Sequence, residues 1–165
     1  MEGTVDLGGN RVRLNACAGV IVLYRKQFGT EYIYDYQDCF TPEGVDLEKY
    51  ADTGLQLLWC MAKLADPNIP AIVEWLERLG GFDLNYALDM ATELWSKSLE
   101  DVQPVTDDEG EELTSENLIA SITACGMTVA DLEHLTLSMV LGALMAASGE
   151  GTERPENSYN LLKGF

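Results

Sequence analysis

The sequence predicts an all-α fold: a helical bundle of about six helices, with an acidic interhelical loop and a flexible C-terminal tail. Three observations predict it. Apolar residues recur at helical spacing through most of the chain. Residues that cap helices (Asn15, Asp46, Asp83 and Thr128) stand just before those stretches. Glycine and proline punctuate them at Gly29, Pro67, Gly80-Gly81 and Gly126. The 165 residues suit one domain. A helical domain is expected over 1–148, with the acidic loop at about 100–113 and the tail at 149–165.

Asn15 is placed to cap a first helix running to about Phe28. Ala16, Val20, Leu23 and Tyr24 form its stripe and Gly29 its stop. Residues 11–14 before it read as a short extended lead-in. The alternation in Glu31-Tyr32-Ile33-Tyr34-Asp35-Tyr36 reads as a strand, although no partner strand is evident. Asp46 caps the longest helix, about 47–65, whose second half is apolar nearly all round and therefore central. Asp66-Pro67 ends it. Pro70 suits the first turn of a helix over 71–79, closed by Gly80-Gly81. Asp83 caps the next, 84–99.

Residues 100–112 hold seven acids, Pro104 and Gly110 with no basic residue, and read as a break. A short helix starts at Thr114-Ser115 and ends at Gly126. Thr128 and Asp131 have the spacing of a capping box. Helix resumes from Val129 to about Ala147, with an interruption near Thr136. From Ser148 onward Gly, Glu, Pro, Asn and Ser dominate, as in a mobile tail.

The formal charge is -18, from 10 basic and 28 acidic residues. It is uneven: -5 over residues 1–82 and -13 over 83–165. A chain this acidic repels nucleic-acid phosphates and anionic membranes, so neither is an expected partner. No apolar run approaches the roughly 18–20 residues that span a bilayer, and no secretion signal is visible. The cysteines (Cys17, Cys39, Cys60, Cys125) form no Cys-x-x-Cys pair. Cys17, Cys60 and Cys125 lie among apolar residues and read as small buried thiols, reduced in a cytosol.

Catalytic and metal motifs are sparse. His134 is the single histidine and reads as a surface residue, since zinc sites want several His or Cys ligands. Gly8-Gly9 lacks the Lys-Ser/Thr of a phosphate loop. The acidic run from Asp107 puts Gly110 at position 4, where a calcium loop needs glycine at 6, so it reads as a solvated loop. Residues 119–135 have helix-turn-helix spacing. Their second helix would offer Asp131, Glu133 and His134 to DNA, so two packed helices joined by a tight turn is the better reading. Trp59, Trp75 and Trp95 lie on apolar stripes and read as core. The best candidate for partner binding is the methionine-rich segment near the chain end: Leu137, Met139, Val140, Leu141, Leu144 and Met145. No cofactor is expected, and no enzymatic activity.

Three stretches carry a family likeness. Arg11-Val12-Arg13-Leu14 leads into a helix ending Tyr24-Arg25-Lys26-Gln27-Phe28-Gly29, then an acidic-aromatic stretch at Asp35. Leu57-Leu58-Trp59-Cys60-Met61-Ala62-Lys63 is followed by Pro70 and Trp75-Leu76. Met127-Thr128-Val129-Ala130-Asp131-Leu132 precedes Leu135-Thr136-Leu137-Ser138-Met139-Val140. In this order and spacing they resemble the tail assembly chaperones of long-tailed, siphovirus-type phages, the group with the role of the lambda G protein. The likeness spans roughly residues 11–148. Ser138 stands where the family commonly has glycine, and the acidic stretch near Asp107 departs from its pattern.

The resemblance implies a scaffold without catalytic residues. Such proteins coat the tape measure protein in the host cytoplasm during virion morphogenesis, recruit major tail (tube) protein subunits and are absent from the mature virion. An acidic many-copy coat shields a long apolar helix while its charge keeps the assembly soluble. Helix-in-groove contact is the expected mode, and a many-copy coat leaves room for self-association. Family members are often extended by a programmed -1 frameshift near their end, and Leu161-Leu162-Lys163 is compatible with a slippery T-TTA-AAG heptamer. The alternative is an acidic helical adaptor or DNA-mimic inhibitor that binds a basic protein partner through the acids of residues 100–116.

Overall fold

A computed structural model describes residues 1–99 and 114–147. The elements in chain order are β1 (Glu2–Leu7), β2 (Asn10–Asn15), α1 (Gly19–Phe28), α2 (Tyr32–Gln37), β3 (Phe40–Thr41), β4 (Gly44–Val45), α3 (Leu47–Ala65), α4 (Ile72–Leu79), α5 (Leu84–Ser98) and α6 (Ser115–Ala124). A 3-10 helix (Val129–Glu133) and α7 (Leu137–Ala147) follow. The chain is mostly helical, but not all-α, because β1–β2 and β3–β4 form two antiparallel hairpins. The acidic loop at 100–113, the tail at 149–165 and Leu161-Leu162-Lys163 lie outside the described residues.

The first hairpin corrects the reading of the N-terminus. Gly8 and Gly9 have φ of 63° and 86° and form the two-residue turn between the paired Leu7 and Asn10. Positive φ at both positions matches the right-handed twist of the flanking strands. Val5 lies opposite Val12, and alternation brings Leu7 and Leu14 to the same buried face. The extended lead-in over 11–14 is thus the second strand of a pair.

Asn15 does not cap α1. It ends β2, and its side-chain amide donates to the Glu133 carbonyl at 3.0 Å. Helix α1 begins at Gly19 and stops at Gly29, which adopts φ 78° and donates to the Arg25 carbonyl. The segment expected as a strand is instead the short helix α2. Tyr34 N and Asp35 N both donate to the Glu31 carbonyl. Tyr32 and Tyr36, four residues apart, share one helix face with ring centroids 5.9 Å apart.

Helix α3 has the expected bounds. Lys49 N donates to the Asp46 carboxylate at its start. At its end the Lys63 ammonium donates to the Pro67 and Ile69 carbonyls. It is central, packing on β2, α1, α2 and α5. Trp59 donates its indole N–H to the Pro70 carbonyl at 3.0 Å, which fixes the α3–α4 turn. Ala71 is the residue before α4 and Gly80 closes it. Asp83 caps α5 through Tyr86 N, and Thr114 caps α6 through Asn117 N.

One core cluster runs from Val5 to Leu141 and contains all three tryptophans. Cys17, Cys39 and Cys60 are buried, whereas Cys125 is exposed. Cys125 follows the last residue of α6, where the chain turns out at Gly126. Among the described residues, no helix is long and apolar enough to cross a membrane.

Candidate partner-binding surface

The Met-rich segment is built on a tied-down base. Thr128 N and Oγ1 both donate to the Asp131 carboxylate, at 2.7 and 2.8 Å. These hydrogen bonds, the backbone N–H first, hold the Asp131 carboxyl below the usual carboxylate range. Asp131 N donates to the Thr128 carbonyl, so the turn tightens to 3-10 geometry. Residues 119–135 are therefore α6, a glycine turn and a 3-10 helix, and the second member of the expected helix pair is not an α-helix. Only Leu132 of that 3-10 helix is buried. His134 is exposed at its end.

Ala18 N donates to the Leu135 carbonyl at 2.8 Å, which pins the start of α7 to the start of α1. The expected interruption falls at Thr136. Its hydroxyl accepts from Met139 N at 3.3 Å, and its carbonyl accepts from Val140 N.

The structure divides the six candidate residues between two faces of α7. Leu137, Val140 and Leu141 are buried, and Leu144, half-buried, packs against the same core. Their spacing of i, i+3, i+4 and i+7 is one helical stripe. Met139 and Met145 face outward, 57% and 38% exposed. Gly142, Ala143, Ala146 and Ala147 are exposed beside them. None of the eleven residues of α7 is charged. The outward strip is thus apolar and shallow, flanked by small side chains that let another helix approach closely.

A buried carboxylate was not legible in the sequence. Glu31, 5% exposed, accepts from Ser115 N at 3.1 Å and Ser115 Oγ at 2.7 Å. The Arg25 guanidinium lies 3.6 Å away. A glutamate before an aromatic helix carries no local mark of burial, and its partner lies 84 residues on. Among the described residues, no cluster of three or more His, Cys, Asp or Glu is arranged to hold a metal ion.

Comparisons with protein-family models, curated proteins and solved structures returned no match.

Proposed function

We propose that this chain is a tail assembly chaperone of the long-tailed-phage type, a non-enzymatic protein that coats the tape measure protein and recruits tail tube subunits in the host cytoplasm. The observation that carries the reading is α7: an uncharged helix anchored by Leu137, Val140 and Leu141, with Met139 and Met145 turned outward. Methionine side chains adapt to varied apolar partners, which suits a coat that meets many positions along one long helix. The net charge of -18 keeps such an assembly soluble. The three sequence stretches that resemble the family support the same reading.

The test is co-expression with the tape measure protein encoded in the same genome. The expected result is a soluble complex that co-purifies, and the double substitution M139S/M145S lowers its recovery. A tape measure protein that stays insoluble beside the wild-type chain would reject the proposal. DNA sequence across codons 161–163 tests the longer form: a slippery heptamer with an open -1 frame is expected. A closed -1 frame there removes the frameshifted product from the reading.

A further inference from the structure

The second hairpin, β3–β4, exposes apolar side chains. Every residue from Phe40 to Glu48 is exposed. Phe40 and Val45 are directly paired across the strands, 50% and 48% exposed, and Leu47, at the start of α3, is 75% exposed. Paired residues on one face of a hairpin form a continuous contact. Contiguous apolar surface with a polar rim is the anatomy of an interaction site.

The patch is held in place from below. Asp46 N donates to the Cys39 carbonyl at 2.8 Å, closing the hairpin at its base, and Cys39 is buried. Thr41 Oγ1 donates to the Gly44 carbonyl at 2.9 Å across the turn. The Phe40 ring meets Tyr36 edge-on at 5.2 Å, and Tyr36 in turn packs at a tilt against the buried Tyr32. An aromatic anchor fixed in this way loses little freedom when a partner covers it.

The rim is one-signed. Asp38, Glu43, Asp46 and Glu48 fall among the patch residues within eleven positions of sequence, and all four are exposed. The nearby cation, Lys49, is held by Asp38 at 2.8 Å, and that pairing raises its pKa. A second copy of the chain would bring the same carboxylates against these and is disfavoured. The strands are two residues long, too short to template an added strand.

We infer that the β3–β4 hairpin and the start of α3, with Phe40, Val45 and Leu47 interspersed with exposed carboxylates, dock a cationic amphipathic helix of a partner protein. Apolar residues of that helix cover Phe40 and Leu47, and its flanking Lys or Arg side chains meet Glu43, Asp46 and Glu48. This site is separate from α7 and does not depend on the chaperone reading.

The test titrates a labelled synthetic Lys/Leu amphipathic helical peptide into the full chain and reads anisotropy at low and moderate salt. Saturable one-to-one binding is expected. F40S/L47S, which leaves every charge in place, should weaken it at least about tenfold. E43Q/E48Q should weaken it and flatten the salt dependence. V73S, at an exposed apolar residue of α4 outside both surfaces, should bind as the wild type does. Phe40, Glu43, Leu47 and Glu48 are all exposed, so thermal unfolding should confirm that each variant folds. The inference is overturned if the wild type does not bind, if F40S/L47S binds unchanged, or if V73S loses as much. A dimer in sedimentation that F40S/L47S dissociates would also overturn it, by assigning the patch to a second copy.

Discussion

Glu31 and Ser115 join the two described segments of the chain: one buried carboxylate accepts from both the backbone N–H and the hydroxyl of Ser115. Ser115 is the first residue of α6, where unpaired N–H groups and the helix dipole favour negative charge. The contact therefore fixes the start of α6 against the end of the α1–α2 connection. E31A leaves both donors buried without an acceptor and should destabilise the fold by about 2–3 kcal/mol. E31Q keeps one acceptor oxygen but loses the charge beside Arg25, and should cost less. Urea unfolding measures both. Equal midpoints for E31A and wild type would show that this contact contributes nothing.

The turn of the first hairpin makes a sharper comparison. Gly8 and Gly9 both have positive φ, so alanine is strained at either. At Gly8 an added Cβ also runs into the Gly81 carbonyl oxygen, whereas at Gly9 nothing lies within 4 Å. Asn10 Nδ2 donates to the Leu79 carbonyl at 3.2 Å beside this contact, so the turn is docked on the α4–α5 connection. G9A should cost only the backbone strain, about 1–2 kcal/mol. G8A should cost clearly more, because the obstructing atom is backbone and cannot rotate away. Thermal midpoints of the two variants decide it, and G9A unfolding below G8A would contradict the docking.

These contacts explain which parts of the fold were legible in the sequence. The caps at Asp46 and Asp83, the helix start at Thr114-Ser115 and the stop at Gly29 act within a few residues, and each stands where the structure has it. The β1–β2 hairpin was also local: Gly8-Gly9 between alternating Val5/Leu7 and Val12/Leu14 is a hairpin signal. Gly8-Gly9 fails as a phosphate loop, but as a two-residue turn it pairs residues 2–7 with 10–15. Residues 31–36 alternate, but a six-residue run of Tyr, Ile and Asp fits period 2 and an i, i+4 pair equally well, and docking against the core decides between them. In the candidate segment, the helix was legible but its two faces were not. Which of Leu137 or Met139 turns inward depends on the direction set by the Ala18–Leu135 hydrogen bond, 117 positions apart in sequence. Glu31 and Ser115 are in the same position: nothing near either residue marks the other.

Helix α5 lies so close to α3 that a Cβ on Gly54 would come within 2.5 Å of Leu88 Cδ2. Leu88 is buried, so its methyl has little room to move. Two effects oppose each other in G54A. Replacing a helical glycine favours the helix by about 1 kcal/mol, and overpacking costs about 1–3 kcal/mol. The overpacking should win, and G54A should be less stable than wild type. In an L88A background the obstruction is gone, so the same G54A change should stabilise. The sign reversal is the prediction, measured as a double-mutant cycle in urea. A change of the same sign in both backgrounds would refute the close approach.

Stability should fall on the alkaline side. The Tyr24 hydroxyl donates to Asp35 at 2.8 Å and lies 2.6 Å from Gln56 Oε1. Burial first, and then the Asp35 carboxylate, push its pKa above the ordinary 10.0. Burial does the same to Tyr32, and it raises the Cys17 and Cys60 thiols above their ordinary 9.0. All four are neutral acids whose charged form the fold disfavours, so the unfolded chain releases its protons first. Their contribution is complete below pH 9.0, then declines as the pH rises through 9.0 for the thiols and 10.0 for the tyrosines. Each group released only by the unfolded chain steepens the decline by about 1.4 kcal/mol per pH unit. Y24F removes one such group. It should cost about 1–3 kcal/mol at pH 7, through the lost hydrogen bond to Asp35, and then lose less stability than wild type between pH 9 and 11. Urea unfolding across that range reads both effects. A flat wild-type profile, or parallel profiles for wild type and Y24F, would contradict the burial of a neutral Tyr24.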